Sequence, residues 1–147
     1  MKHLVIVDVS VRVLFPAVIL GSLWLLLAGH NQPGGGFVGG IVAGAAVATR
    51  YVAGGIDEVR SISPVRPWTV LGAGLLVAAV TATIPIVLGH DVLEAASAQW
   101  DLPVIGRGKT TSALAFDIGV YLIVLGLVLM IFESFGDDLI EDREVSS

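Results

Sequence analysis

Cysteine is absent, which excludes a disulfide framework, a thiolate nucleophile and any cysteine-ligated metal or iron–sulfur site. Charge is scarce. Asp, Glu, Lys and Arg supply 14% of the 147 residues, where a soluble domain would be nearer one quarter. Only eight residues are Lys or Arg and they form no basic stripe, so nucleic acid is not an expected partner. His3, His30 and His90 fall at segment ends with no HExxH-type spacing, and there is no GxSxG elbow or phosphate loop. No nucleophile–base pair, metal site or cofactor motif can be assembled, and an enzyme is not expected.

What the chain has in abundance is apolar sequence, 55% of its residues. A helix needs about 20 apolar residues to cross a hydrocarbon core. Four segments reach that length: about 5–28, 35–53, 68–89 and 112–132. The expected architecture is therefore an all-α integral membrane protein of four transmembrane helices. It occupies residues 1–136, with an acidic, solvated tail over residues 137–147. Lys2 precedes an apolar run, as in a signal peptide. But Asp8 and Arg12 interrupt that run, and no small-x-small cleavage site precedes the first turn. An uncleaved first helix is expected.

Orientation follows from the basic residues. With four spans, Lys2, Arg12, Arg50, Arg60, Arg66 and Arg143 share one side, and only Arg107 and Lys109 lie on the other. The positive-inside rule places both termini in the cytoplasm. Trp68 and Trp100 suit interfacial positions.

The chain is organised around residues 29–44, GHNQPGGGFVGGIVAG. The first part reads as a turn, with Pro33 fixing one φ and Gly34, Gly35 and Gly36 free to take positive φ. His30 and Asn31 precede it and suit capping it. The second part opens the next helix. Gly36, Gly40 and Gly44 recur every four residues, a face on which another backbone can approach closely.

Charged and hydroxyl groups inside the spans are the candidate functional residues. Asp8 and Arg12 lie one turn apart on the first span and can pair along it. Either Arg12 snorkels to the interface beside Asp8, or the pair lines a polar path or meets a neighbouring chain. Pro16 removes the hydrogen bond to the Arg12 carbonyl. In the third span Pro85 frees the Thr81 carbonyl, and threonine hydroxyls can satisfy such groups in lipid. The connection after it, from His90 to Trp100, reads as a short interfacial helix. Asp117 is the residue placed most unfavourably. A fourth helix that avoided it would keep only residues 118–132, roughly 22 Å at 1.5 Å per residue, too short to cross. So Asp117 is expected about one turn inside the boundary, facing protein or water. Thr110, Ala113, Asp117 and Tyr121 then share one stripe, a candidate proton or cation path. Ser112, Ala115, Gly119 and Gly126 lie on another, suited to packing. Glu133 closes the span as an interfacial carboxylate.

Two segments resemble a known family. GHNQPGGGFVGG at 29–40 and TSALAFDIGVYLIVLG at 111–126 are similar to the signature stretches of the MnhB-type subunit of the multisubunit Na⁺/H⁺ antiporter, the Mrp or Mnh type. Length, span number and acidic C-terminus agree. The resemblance implies an integral cell-membrane subunit, with the other antiporter subunits and membrane lipid as partners. Its complex exchanges cytoplasmic Na⁺ for external H⁺ and supports sodium tolerance and pH homeostasis. The resemblance also implies structural roles for His30, Asn31, Pro33, Gly34, Gly35, Gly36 and Phe37, and an ionisable role for Asp117. The domain also occurs in membrane-bound hydrogenase-type complexes. An equivalent subunit there, or a purely structural adaptor, stays open.

Overall fold

A computed structural model of the chain describes residues 5–29, 35–87, 97–102 and 106–145. Four helices cross its length: α1 (Val5–Ala28), α2 (Gly35–Ile62), α3 (Pro67–Val87) and α4 (Ser112–Val145). Each carries a segment long and apolar enough to span a membrane.

Between α3 and α4 the expected interfacial helix gives way in part to an antiparallel hairpin. Ser97–Leu102 (β1) pairs with Gly106–Thr111 (β2). SAQWDL alternates polar and apolar residues, which suits a strand, while GRGKTT has no apolar period of its own and pairs with it. Residues 88–96, His90 included, lie outside the described residues. The spans are thus helical throughout, and the connection contains strand. Because Thr110 belongs to β2 and α4 starts at Ser112, the expected helical stripe begins at Ala113.

The second difference concerns residues 54–67, which in sequence read as a polar connection between the second and third spans. The helix runs on to Ile62, interrupted at Gly55, whose φ of 73° and ψ of −163° suit a residue without a Cβ. The GG doublet bends the chain sharply. Val59 beyond the bend is buried with Val47 before it and with Leu129 of α4. In a straight helix those two valines would stand roughly 18 Å apart. The segment 56–62 is therefore an arm folded under the bundle end, and Gly136 of α4 lies against Ile56.

The acidic segment continues α4 as helix to Val145. Pro16 and Pro85 each sit inside a continuous helix. The Thr81 and Thr83 hydroxyls donate to the Val77 and Ala79 carbonyls, one turn back, rather than to the carbonyl freed by Pro85.

Glycine sets the helix order. Gly36, Gly40 and Gly44 of α2 lie against Asp117, Val124 and Val128 of α4, so these two helices run parallel. Gly119 and Gly126 of α4 meet Ala78 and Leu71 of α3, which runs antiparallel, and Gly74 of α3 fits against the Ile123 backbone. Gly39 of α2 faces Ser22 and Leu26 of α1. Helices α2 and α4 form the centre, with α1 resting on α2 and α3 on α4. The outer helices leave large apolar side chains exposed, among them Leu20, Trp24 and Leu27 on α1 and Leu75, Leu76 and Val80 on α3. Faces of that extent suit lipid or neighbouring subunits.

Candidate functional site

The amino end of α2 lies at the side of Asp117. Gly35 takes φ 62°, the left-handed region that favours glycine. A Cβ built there would lie 3.1 Å from Asp117 Oδ1 and 3.3 Å from Oδ2, so the carboxylate rests against the glycine itself. One residue on, Gly36 touches the Asp117 backbone, and a Cβ would overlap the carbonyl oxygen. The two segments singled out in the sequence are therefore one site. An acid beside the first turn of a helix faces the positive end of its dipole and its unpaired N–H groups, a favourable arrangement. Asp117 is half-buried, between protein and the surroundings.

The polar track continues inward and changes helix. Tyr121, one turn below Asp117, is buried with Leu26 and Ala43. Its hydroxyl lies 3.0 Å from Ser22 Oγ on α1, and Ser22 also donates to the Ile19 carbonyl at 2.7 Å. Ser22 is fully buried. Asp117, Tyr121 and Ser22 thus place polar groups of α4 and α1 around the glycine face of α2. Sequence reasoning misses Ser22. Its signal is present, as the sole hydroxyl in the apolar run 13–28. In membranes such a hydrogen bond contributes about 0.6 kcal/mol on average and up to about 1.7. Ser22→Ala and Tyr121→Phe should each destabilise the α1–α4 contact by that order. In a double-mutant cycle on thermal unfolding in detergent, the second substitution should add little to the first.

A second charged group lies at the opposite end. Asp8, which can pair with Arg12 along α1, has its side chain outside the described residues. Arg12 Nε stands 3.6 Å from Glu58 on the arm of α2. Glu58 also pairs closely with Arg50 Nη1. Arg50 is mostly withdrawn from solvent and lies over the Phe15 ring at 4.9 Å. The bend at Gly55 brings this acid back to Arg50, eight residues earlier. Read as part of a loop, Glu58 gives no sign of this partner. Glu133 is also paired, to Arg60 Nη2 at 3.7 Å.

The remaining expected positions divide simply. Gly35, Gly36, Gly40, Gly44, Gly119 and Gly126 all meet neighbouring helices. Phe37 is exposed on α2. His30, Asn31, Pro33 and Gly34 lie outside the described residues. Among the described residues no group of three or more His, Cys, Asp or Glu is placed to hold a metal ion.

Known proteins share this pattern of helices. A family model described as a domain related to the MnhB subunit of the Na⁺/H⁺ antiporter matches residues 6–130.

The chain belongs to this family.

Relatives of the MnhB-type chain include the B-type Na⁺/H⁺ antiporter subunit of Bacillus subtilis, 38% identical over 82% of this chain and 85% of the relative. The B-type Na⁺/H⁺ antiporter subunit of Alkalihalophilus pseudofirmus is 31% identical over 91% of this chain and 93% of the relative. Among solved structures, an Mrp complex from Dietzia sp. contains a chain with the same fold. Its TM-score is 0.77 at 32% identity, covering 90% of this MnhB-type chain and 14% of that much longer one.

Proposed function

We propose that this chain is the MnhB-type subunit of a multisubunit cation/proton antiporter in the cell membrane. There it holds neighbouring subunits together and contributes Asp117 to the ion route. The observation that carries the reading is the coincidence of family and geometry. The family match covers residues 6–130, and the first residues of α2 meet the acid of α4 at one point, Gly35 against Asp117. Exposed apolar faces on α1 and α3 support assembly with other membrane chains. A role in transport, not in catalysis, fits an interior of packed glycine and aliphatic side chains.

In this reading Asp117 exchanges a proton or a cation near the end of the bundle at which α2 begins. Tyr121 and Ser22 extend its hydrogen-bonding groups toward α1. Both termini lie in the cytoplasm, supported by the basic residues at the Gly55 end. The carried ions are Na⁺ and H⁺.

The test is reconstitution. Vesicles holding the complex with this chain should exchange Na⁺ for H⁺, and the complex purified from cells lacking the chain should not assemble or exchange. Full exchange without the chain would overturn the proposal. Side-specific labelling should find positions 34 and 60 on opposite membrane faces, and finding both on one face would overturn the threading.

A further inference from the structure

Outside the Asp117 track, one cavity combines shape, charge and location. It has a volume of about 140 Å³ and lies between the arm of α2, the turn into α3 and the Leu129–Glu133 turn of α4. Ile56, Val59 and Leu129 give it an apolar floor, while Arg60, Arg66 and Glu133 bring charge to it. Two cations and one acid leave the lining with one net positive charge. The Arg66 guanidinium sits 5.3 Å from the Trp68 ring centre, an aromatic exposed at the start of α3. Tryptophan at the end of a spanning helix marks the headgroup level of a bilayer.

We infer that this cavity holds the phosphodiester headgroup of an anionic phospholipid, with Arg60 and Arg66 on its oxygens. A singly charged anion neutralises the lining. A guanidinium carries five N–H donors in a planar fork, so Arg60 can serve a phosphate oxygen as well as Glu133. The apolar floor suits the glycerol and upper acyl carbons rather than a free hydrated ion. Basic pockets among spanning helices near a membrane surface recognise anionic headgroups in this manner. The exposed Leu75 and Leu76 leave apolar surface on α3 for acyl chains. Glu133 acts against the ligand, so its removal has a sign opposite to removal of the arginines.

The experiment uses the whole complex, purified in detergent and stripped of lipid, then titrated with phosphatidylglycerol and read by intact-complex mass spectrometry. Arg60→Gln or Arg66→Gln should weaken binding about fivefold, and the double variant about thirtyfold. Glu133→Gln should tighten it about fivefold. Arg66→Lys should restore part of the loss, which separates charge from misfolding. Phosphatidylcholine should bind no better than background. Equal binding of both lipids, or a double variant that binds like the parent, would overturn the inference. So would labelled inorganic phosphate occupying the site while phosphatidylglycerol does not. None of these readouts depends on transport.

Discussion

Gly36→Ala should remove the chain from the assembled complex. Gly36 meets the Asp117 carbonyl, a backbone atom that cannot rotate away, and a methyl group would overlap it. Relief requires α2 and α4 to separate along their whole seam, because Gly40 and Gly44 also lie close against Val124 and Val128. Forcing atoms into a packed contact typically costs about 1–3 kcal/mol, and a backbone clash that cannot be relieved locally exceeds that. In lipid no hydrophobic force compensates for lost contact between helices. Co-purification with the complex and thermal stability in detergent both measure the effect. Gly72→Ala is the matched control: a Cβ there meets nothing within 4 Å, so it should assemble normally. If Gly36→Ala assembles as well as Gly72→Ala, the parallel α2–α4 seam is wrong.

Asp117→Asn should leave the seam intact and lower Na⁺/H⁺ exchange by about tenfold or more. Asparagine has nearly the same shape and keeps its place against Gly35, but it cannot exchange a proton or balance a cation. Proton-transfer groups typically contribute about 10²–10⁴-fold, and a side chain serving as one of several contributes less. The two readouts are exchange in vesicles and recovery of the assembled complex. Exchange retained with assembly retained would remove Asp117 from the ion route. Loss of assembly would make it a packing acid, the adaptor role. Gly36→Ala and Asp117→Asn touch the same point from opposite sides, so a split between assembly and exchange would separate structure from transport there.

Much of the architecture was legible because hydrophobic length is a strong signal. A run of twenty apolar residues has few alternatives, and the turn at 29–36 separates the first two runs cleanly. The small-residue spacing at Gly36, Gly40 and Gly44 correctly marks a contact face. It cannot say that the partner is α4, since periodicity reports a face and not its occupant. Spacing divides α4 into a small-residue face and a polar stripe. Gly119 and Gly126 do pack on α3, but the Asp117–Tyr121 stripe also packs, against the glycines of α2.

What escaped is set by tertiary contact. Glu58 looks like a loop acid because nothing local to DEVR announces Arg50, and the bend that joins them depends on one positive φ at Gly55. Ser22 looks ordinary because its partner lies 99 residues away, on Tyr121. The hairpin is hidden because only one of its two six-residue strands, SAQWDL, alternates, and its partner GRGKTT carries no apolar pattern.

The parallel run of α2 and α4 has a consequence for biogenesis. Both α2 and α3 find their main neighbour in the helix that leaves the ribosome last. Until it arrives, the groove that will receive it stands open to lipid tails, and the first three helices have no common centre. A chain stalled before residue 112 should therefore be a substrate for membrane quality control rather than a partly working component. The glycines that make the finished seam tight also make its unfinished form vulnerable.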